Sequence, residues 1–277
     1  LPHTWCAGCG DGIILQSIAA VFAEMNLDKH DITLVSGIGC FGRVDDYLDI
    51  NCMHVTHGRA LAAATGIALA NPELNVLVTM GDGDGTTIGG NHLIHCARRN
   101  INLTAIIANN YNYGQTGGQY SGTTPTGSIT STSPYGHIEQ NFDICKLAEA
   151  AGASYVARAT AYNPVQMRKL IRGGMEHKGF ALIEVMVACP THYGRYNKQG
   201  EAARMMQLMN EQSVPVEKAA GMSPDELEGR IVTGLLVIFG AGQRALDRLR
   251  LTDKQALFFI ALIIALGFLP DIPLGGE

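Results

Sequence analysis

The chain has 277 residues, 47% hydrophobic and 16% charged, enough to bury one sizeable core, and its 33 glycines point to many tight turns. A net charge of −5 without any dense Lys/Arg run argues against a nucleic-acid partner. Seven unevenly spaced cysteines, with no secretory leader before Cys6, fit a reducing, cytoplasmic setting better than a disulfide scaffold, although a chain opening on Leu1 rather than Met leaves its natural start open.

From residue 11 to about 188, apolar runs alternate with helical patterns, so the fold class is α/β, a mostly parallel sheet flanked by helices. In chain order the patterns predict a helix over Gly12–Met25, a strand over Ile32–Val35, a small-residue helix over Gly58–Ala70 and a strand over Val76–Met80. There follow a helix over Thr86–Arg99, a strand over Leu103–Ala108, a helix over Phe142–Ala151 capped by Asn141, and a strand over Phe180–Val187. The Gly-, Ser-, Thr- and Tyr-rich stretch Tyr111–Ile138 is too long for an idle loop in a compact domain and is expected to be ordered over a ligand. Beyond about residue 194 a polar segment with Met205, Met206 and Met209 predicts a helix on the surface or against a partner. The organisation is therefore a main domain over 1–200, a helical extension over 201–229 and an apolar tail over 230–277.

The segment from Asn75 to Asn112 combines a buried strand, a Gly-Asp-Gly turn, a helix, a second strand and an Asn-Asn pair. Asp82 and Asn110 stand 28 positions apart, a spacing that returns a right-handed β-α-β unit to the same edge of the sheet, where open α/β sheets bind ligands. A carboxylate, an amide oxygen and a nearby carbonyl, here that of Asn112, are hard ligands suited to magnesium completed by a diphosphate. Gly81, Gly83 and Gly85 allow the backbone close to phosphate oxygens. Either dipeptide alone reads as a turn or a strand-end cap; the two together resemble the thiamine-diphosphate signature.

Cys6-Ala7-Gly8-Cys9 places two thiols where both can face one metal, which by itself leaves a zinc knuckle, a redox disulfide and half an iron–sulfur site equally open. Cys40, ending a strand-turn, and Cys189, before Pro190, are candidates to converge with them, with Cys52 the alternative to Cys40. Cys52, Cys96 and Cys145 are otherwise expected to be simply buried.

Taken together, WCAGCGDG (Trp5 to Gly12), SGIGC (Ser36 to Cys40), THGRALAAATGIALANP (Thr56 to Pro72), MGDGDGTTIGGNHLIHCARRNIN (Met80 to Asn102), YGQTGGQYSGTTP (Tyr113 to Pro125) and ACPTHYGR (Ala188 to Arg195) resemble the β subunits of the 2-oxoacid:ferredoxin oxidoreductases. The resemblance implies the thiamine-diphosphate-binding fold. Cys6, Cys9, Cys40 and Cys189 would hold a [4Fe-4S] cluster. Asp82, Asn110 and the Asn112 carbonyl would hold Mg²⁺, and Gly81, Gly83, Gly114, Thr116, Gly117 and Gly118 would line the diphosphate. It further implies oxidative decarboxylation of a 2-oxoacid, with electrons passed through the cluster to ferredoxin and the acyl group to coenzyme A. No Glu stands in a motif for setting the aminopyrimidine tautomer, so an α subunit is expected to supply it and this chain alone to be inactive. His57, Arg59 and Arg43 are candidates to touch the cofactor or the substrate carboxylates. Gln115 stands where the family loop carries an apolar residue. The loop through Pro125 is most similar to the 2-oxoglutarate type, with pyruvate and other 2-oxoacids, and the direction of reaction, left open.

After about residue 229 the resemblance fades. Gln255–Pro270 is uncharged for 16 residues, a helix of about 24 Å against a hydrocarbon core of roughly 30 Å. Membrane contact through this tail is an open but not favoured reading, beside a packed interface helix and a foreign sequence joined on. Two rival functions stand against the main one: a non-oxidative thiamine-dependent decarboxylase or synthase with structural cysteines, and a non-catalytic metal-stabilised scaffold.

Overall fold

Uninterrupted apolar runs become strands buried on both faces, as parallel sheets covered by helices require. In the computed structural model, which describes residues 3–239, the elements in chain order are α1 (Asp11–Glu24), β1 (Ile32–Ser36), β2 (Asn51–His54), α2 (Ala60–Ala70), β3 (Asn75–Gly81), α3 (Gly90–Arg99), β4 (Leu103–Asn109) and α4 (Ile144–Ala151). They continue with β5 (Tyr155–Thr160), α5 (Pro164–Glu176), β6 (Phe180–Met186), α6 (Ala202–Gln212), β7 (Ser213–Pro215), α7 (Val216–Ala219), α8 (Pro224–Leu227) and β8 (Ile231–Ile238). The strands form one eight-stranded sheet in the order β2-β1-β3-β4-β6-β5-β8-β7, parallel throughout except where β8 runs against β5. All residues of β1, β4 and β6 are buried. Alternate side chains of β4 and β6, including Ile106, Ala181, Ile183 and Val185, share a core with α1 and α5. The intervening positions face α2 and α4, and α3 packs against both of those helices on the same side.

Several boundaries differ from those expected. The first turn after Asp82 is a π-helical stretch, Gly83–Ile88, so α3 begins at Gly90 rather than Thr86. α4 is capped by Asp143, whose side chain accepts from Lys146 N, and not by Asn141. α2 begins only at Ala60 because Gly58 carries φ +72°. The helix expected around the methionines is α6, and it packs on its own chain: Met205 and Met209 are buried. The boundary drawn at residue 230 is also corrected. The apolar run from Ile231 is β8, paired with β5 and β7 in the main sheet. Gln255–Pro270 lies outside the described residues, and among those described no helix is long and apolar enough to cross a membrane.

The stretch from Tyr111 to Asn141 holds no helix, yet it is tied down along its length. Gly118 N donates to Tyr113 O at 2.9 Å, Ser131 N to Gly118 O at 3.0 Å, and Ile129 N to Asn197 Oδ1 at 2.8 Å. It crosses the carboxyl ends of β3 and β4, which open α/β sheets use for ligands.

Candidate functional site

At the end of β3, Asp82 is 1% exposed. Ser121 Oγ and Thr123 Oγ1, delivered by the long loop, each donate to its Oδ2 at 2.5 Å. Burial pushes its carboxyl up to about 6 against the pull of those hydrogen bonds. One strand over, β4 ends in two nested turns: Asn109 Oδ1 accepts from Tyr111 N at 3.1 Å, and Asn110 Oδ1 from Asn112 N at 3.2 Å. Asp82, Asn110 and Asn112 line one cavity of about 60 Å³ with Gly81, Gly83, Gly114, Thr116 and His57. A side chain begun at Gly81 would meet nothing within 4 Å, which leaves room over the strand end, whereas at Gly83 it would strike the Tyr113 ring.

Two further carboxylates enclose this cavity. Asp84 Oδ1 accepts from Gly58 N at 2.7 Å and binds His57 Nδ1, and burial raises its pKa. Asp11, at the start of α1, is buried beside the Cys9 thiol, and burial, with the added repulsion of Asp82, pushes it up to about 7 against the pull of that thiol. Burying a carboxylate is costly, and at this pKa the group is protonated or charged according to what lies beside it.

A second cavity, of about 400 Å³, opens beside the first and is lined by Cys6, Cys9, Cys40 and Cys189 with Trp5, Arg43 and His192. Cys6 and Cys9 arrive from the segment before α1, Cys40 from the turn after β1, and Cys189 from the end of β6; Trp5 Nε1 donates to Cys40 O at 2.7 Å and ties two of these segments together. Burial first, and the negative neighbours second, push the Cys40 thiol up to about 12 and raise Cys9 still further. No three of the four sulfurs come within 4.8 Å of one another. Four thiolates on one tetrahedral zinc would sit about 3.8 Å apart.

The expected residues thus divide. Asp82, Asn110, Asn112, Gly81, Gly83, Gly114, Thr116 and His57 meet in the first cavity, and the four cysteines with Arg43 in the second. Arg43 also pairs with Asp46 at 2.6 Å. Arg59 lines neither cavity; it is exposed, its guanidinium against the carbonyls of His57 and Gly58 at 3.4 Å. Gly117 and Gly118 are turn-formers, with φ +123° and +81°, outside both linings. Cys52, the alternative to Cys40, is exposed on the edge strand β2 rather than buried, while Cys96 and Cys145 are buried as expected. Ser121, Thr123 and Asp11 were not anticipated. Hydroxyls in a Ser/Thr-rich loop look alike in sequence, and Asp11 reads as an ordinary acidic first-turn residue; only its place two after Cys9 hinted otherwise.

Comparison with known proteins shows the family to which this fold belongs. The family described as "Thiamine pyrophosphate enzyme, C-terminal TPP binding domain" matches residues 37–185. The 2-oxoglutarate synthase subunit KorB of Methanocaldococcus jannaschii is 50% identical over 234 residues, 84% of this chain and 87% of that one. The subunit of the same name from Archaeoglobus fulgidus is 60% identical over 193 residues, 69% of this chain and 72% of the relative. Among solved structures, a chain of the 2-oxoglutarate:ferredoxin oxidoreductase from Magnetococcus marinus, described with 2-oxoglutarate, coenzyme A and succinyl-CoA bound, is 36% identical. It matches with a TM-score of 0.78 over 94% of this chain and 93% of that chain.

Proposed function

Because this chain belongs to the β subunits of the 2-oxoacid:ferredoxin oxidoreductases and carries their thiamine-diphosphate-binding domain, we propose that it holds the cofactor through Mg²⁺ beside a [4Fe-4S] cluster in an enzyme acting on 2-oxoglutarate. When bound, the cofactor supplies the carbon centre for decarboxylating a 2-oxoacid, and the cluster accepts electrons one at a time. The chain's own residues divide the remaining work. Asp82, Asn110 Oδ1 and the Asn112 carbonyl are hard oxygen donors for an octahedral Mg²⁺. Ser121 and Thr123 fix the rotation of the Asp82 carboxylate, whose buried charge would be offset by a divalent cation held there. Asp84 holds His57 at the cavity wall. Arg43, at the cysteine cavity, offers a guanidinium to a substrate carboxylate.

Among the described residues the only carboxylates lining the cofactor cavity are Asp11, Asp82 and Asp84. The glutamate for the aminopyrimidine therefore falls to an α subunit, and the chain alone is inactive. Coenzyme A takes the acyl group and ferredoxin the electrons.

The observation that carries this reading is a shared wall. Cys40, Asn110, Gly114 and Gln115 line both cavities, and a Cβ on Gly114 would lie 3.5 Å from Asn110 Nδ2, Asn112 Oδ1 and Cys40 Sγ alike. A non-oxidative enzyme has no use for four thiols there. The test is iron, acid-labile sulfide and zinc per chain in complex purified without oxygen, with Cys9→Ser as control, followed by 2-oxoglutarate- and pyruvate-dependent ferredoxin reduction. About four irons and four sulfides, as the proposed cluster requires, lost in the control, are expected, with 2-oxoglutarate preferred. Stoichiometric zinc without sulfide refutes the redox mechanism.

A further inference from the structure

Glu184 is 2% exposed in β6, in register with Ile107 of β4 and Arg158 of β5, within an otherwise apolar part of the sheet. Three donors reach it: Arg158 Nε at 2.6 Å and Cys145 Sγ at 3.2 Å on Oε2, and Asn109 Nδ2 at 2.7 Å on Oε1. The other arm of Arg158 holds Asp143 Oδ1 at 2.6 Å, so the guanidinium takes the place a cation would have between Asp143, Cys145 and Glu184. As a source of stability a buried ion pair has no advantage over well-packed apolar residues of the same volume. What a carboxylate alone provides is a group that only accepts hydrogen bonds.

That property decides which way the Asn109 amide points. Its Nδ2 must face Glu184, so its Oδ1 must face the opposite side, where it accepts from Tyr111 N at 3.1 Å. Tyr111 sits at φ +64°, a conformation uncommon for a side-chain-bearing residue, and the bond to Asn109 holds it there. The turn so held carries Asn110 and Asn112. We propose that Glu184, clamped by Arg158, is a positioning residue for the metal-binding turn, setting the Asn109 amide and through it Tyr111, Asn110 and Asn112. The proposal rests on the reading of Asp82, Asn110 and Asn112 as the magnesium site.

Glu184→Gln keeps shape and volume but not this direction. The new amide must turn its oxygen to Arg158 Nε, so its nitrogen meets Asn109 Nδ2; if Asn109 turns over to relieve that clash, its nitrogen meets Tyr111 N–H instead. Adding Asn109→Asp restores an acceptor on both sides and returns the charge. The experiment titrates Mg²⁺–thiamine diphosphate by calorimetry into the cofactor-stripped complex of full-length chain and partner, for wild type, E184Q, and E184Q with N109D. The expected result is a Kd raised about 10- to 100-fold in E184Q, the range for partners that orient metal ligands, and largely recovered in the double variant. E184Q binding within about twofold of wild type, or no recovery in the double variant, overturns the inference alone. Failure of wild type itself to bind overturns the magnesium reading and the inference with it. If E184Q does not assemble, the double variant decides: binding near wild type supports the proposal. Weak binding or failure to assemble in a variant that preserves charge and every donor–acceptor pairing overturns it.

Discussion

A methyl group added at Gly42 would be a severe intrusion at the base of the site. Its carbon would lie 2.1 Å from Gly37 O and 2.8 Å from Gly37 C, backbone against backbone. The carbonyl would have to retreat by about 1 Å or more to reach van der Waals distance. It has little freedom to do so: Gly37 N is bonded to Thr79 O at 3.1 Å on β3, and a Cβ on Gly37 would itself lie 1.7 Å from Asp84 Oδ2. No flexible side chain is available to absorb the overlap, so the cost falls at the upper end of the overpacking range, about 3 kcal/mol. For a domain of this size that is a fall of about 6–12 °C in the midpoint of thermal unfolding. Any relaxation must move the Phe41–Tyr47 turn, and with it Cys40, so iron per chain should fall as well. The control is Gly66→Ala in α2, where an added Cβ meets nothing within 4 Å and helix propensity favours alanine by about 1 kcal/mol. Unfolding midpoints by calorimetry on the apo chain, with iron analysis of anaerobically purified protein, test both. A Gly42→Ala protein that melts within about a degree of wild type and retains its iron would refute the reasoning.

Gly118→Ala combines a left-handed backbone position with a Cβ 2.7 Å from His192 Cβ, and should lower stability by about 2–3 kcal/mol in denaturant titration. Arg158→Met removes the guanidinium clamped between Glu184 and Asp143 at 2.6 Å from each, and the uncompensated buried carboxylate should cost about 3–5 kcal/mol by the same measurement. Cys52→Ser should leave iron, sulfide and turnover unchanged, because Cys52 is exposed on β2 and lines neither cavity. Cys40→Ser, altered at the cavity itself, should lose the metal group in the same assay; a Cys52 variant that lost it while Cys40→Ser kept it would exchange their assignments.

The strands that were readable, β1, β3, β4 and β6, are those whose burial on both faces leaves a continuous apolar run. β2 escaped notice because all four of its residues are exposed at the sheet edge, and β5 because Arg158 interrupts its pattern to meet Glu184 across the sheet. β8 is as apolar as the readable strands, but its partner β5 lies more than 70 residues earlier, so nothing local distinguishes it from a tail. The site follows the same rule. Asp82 and Asn110 were legible because a β-α-β unit fixes where residues that far apart emerge. Ser121, Thr123 and Glu184 were not, because their roles depend on which atoms the folded chain turns toward one another, and no periodicity records that.

The wall shared by the two cavities makes their occupants thermodynamically interdependent. Cys40 and Gly114 cannot shift to suit one occupant without changing the room left for the other, and Asn112 approaches Cys189 across the same boundary. Linkage of this kind is reciprocal. On the proposed assignment, whatever factor filling the cysteine cavity imposes on the affinity for thiamine diphosphate, filling the cofactor cavity would impose on the affinity for the proposed cluster, so the order of loading would alter the path of maturation but not its end point.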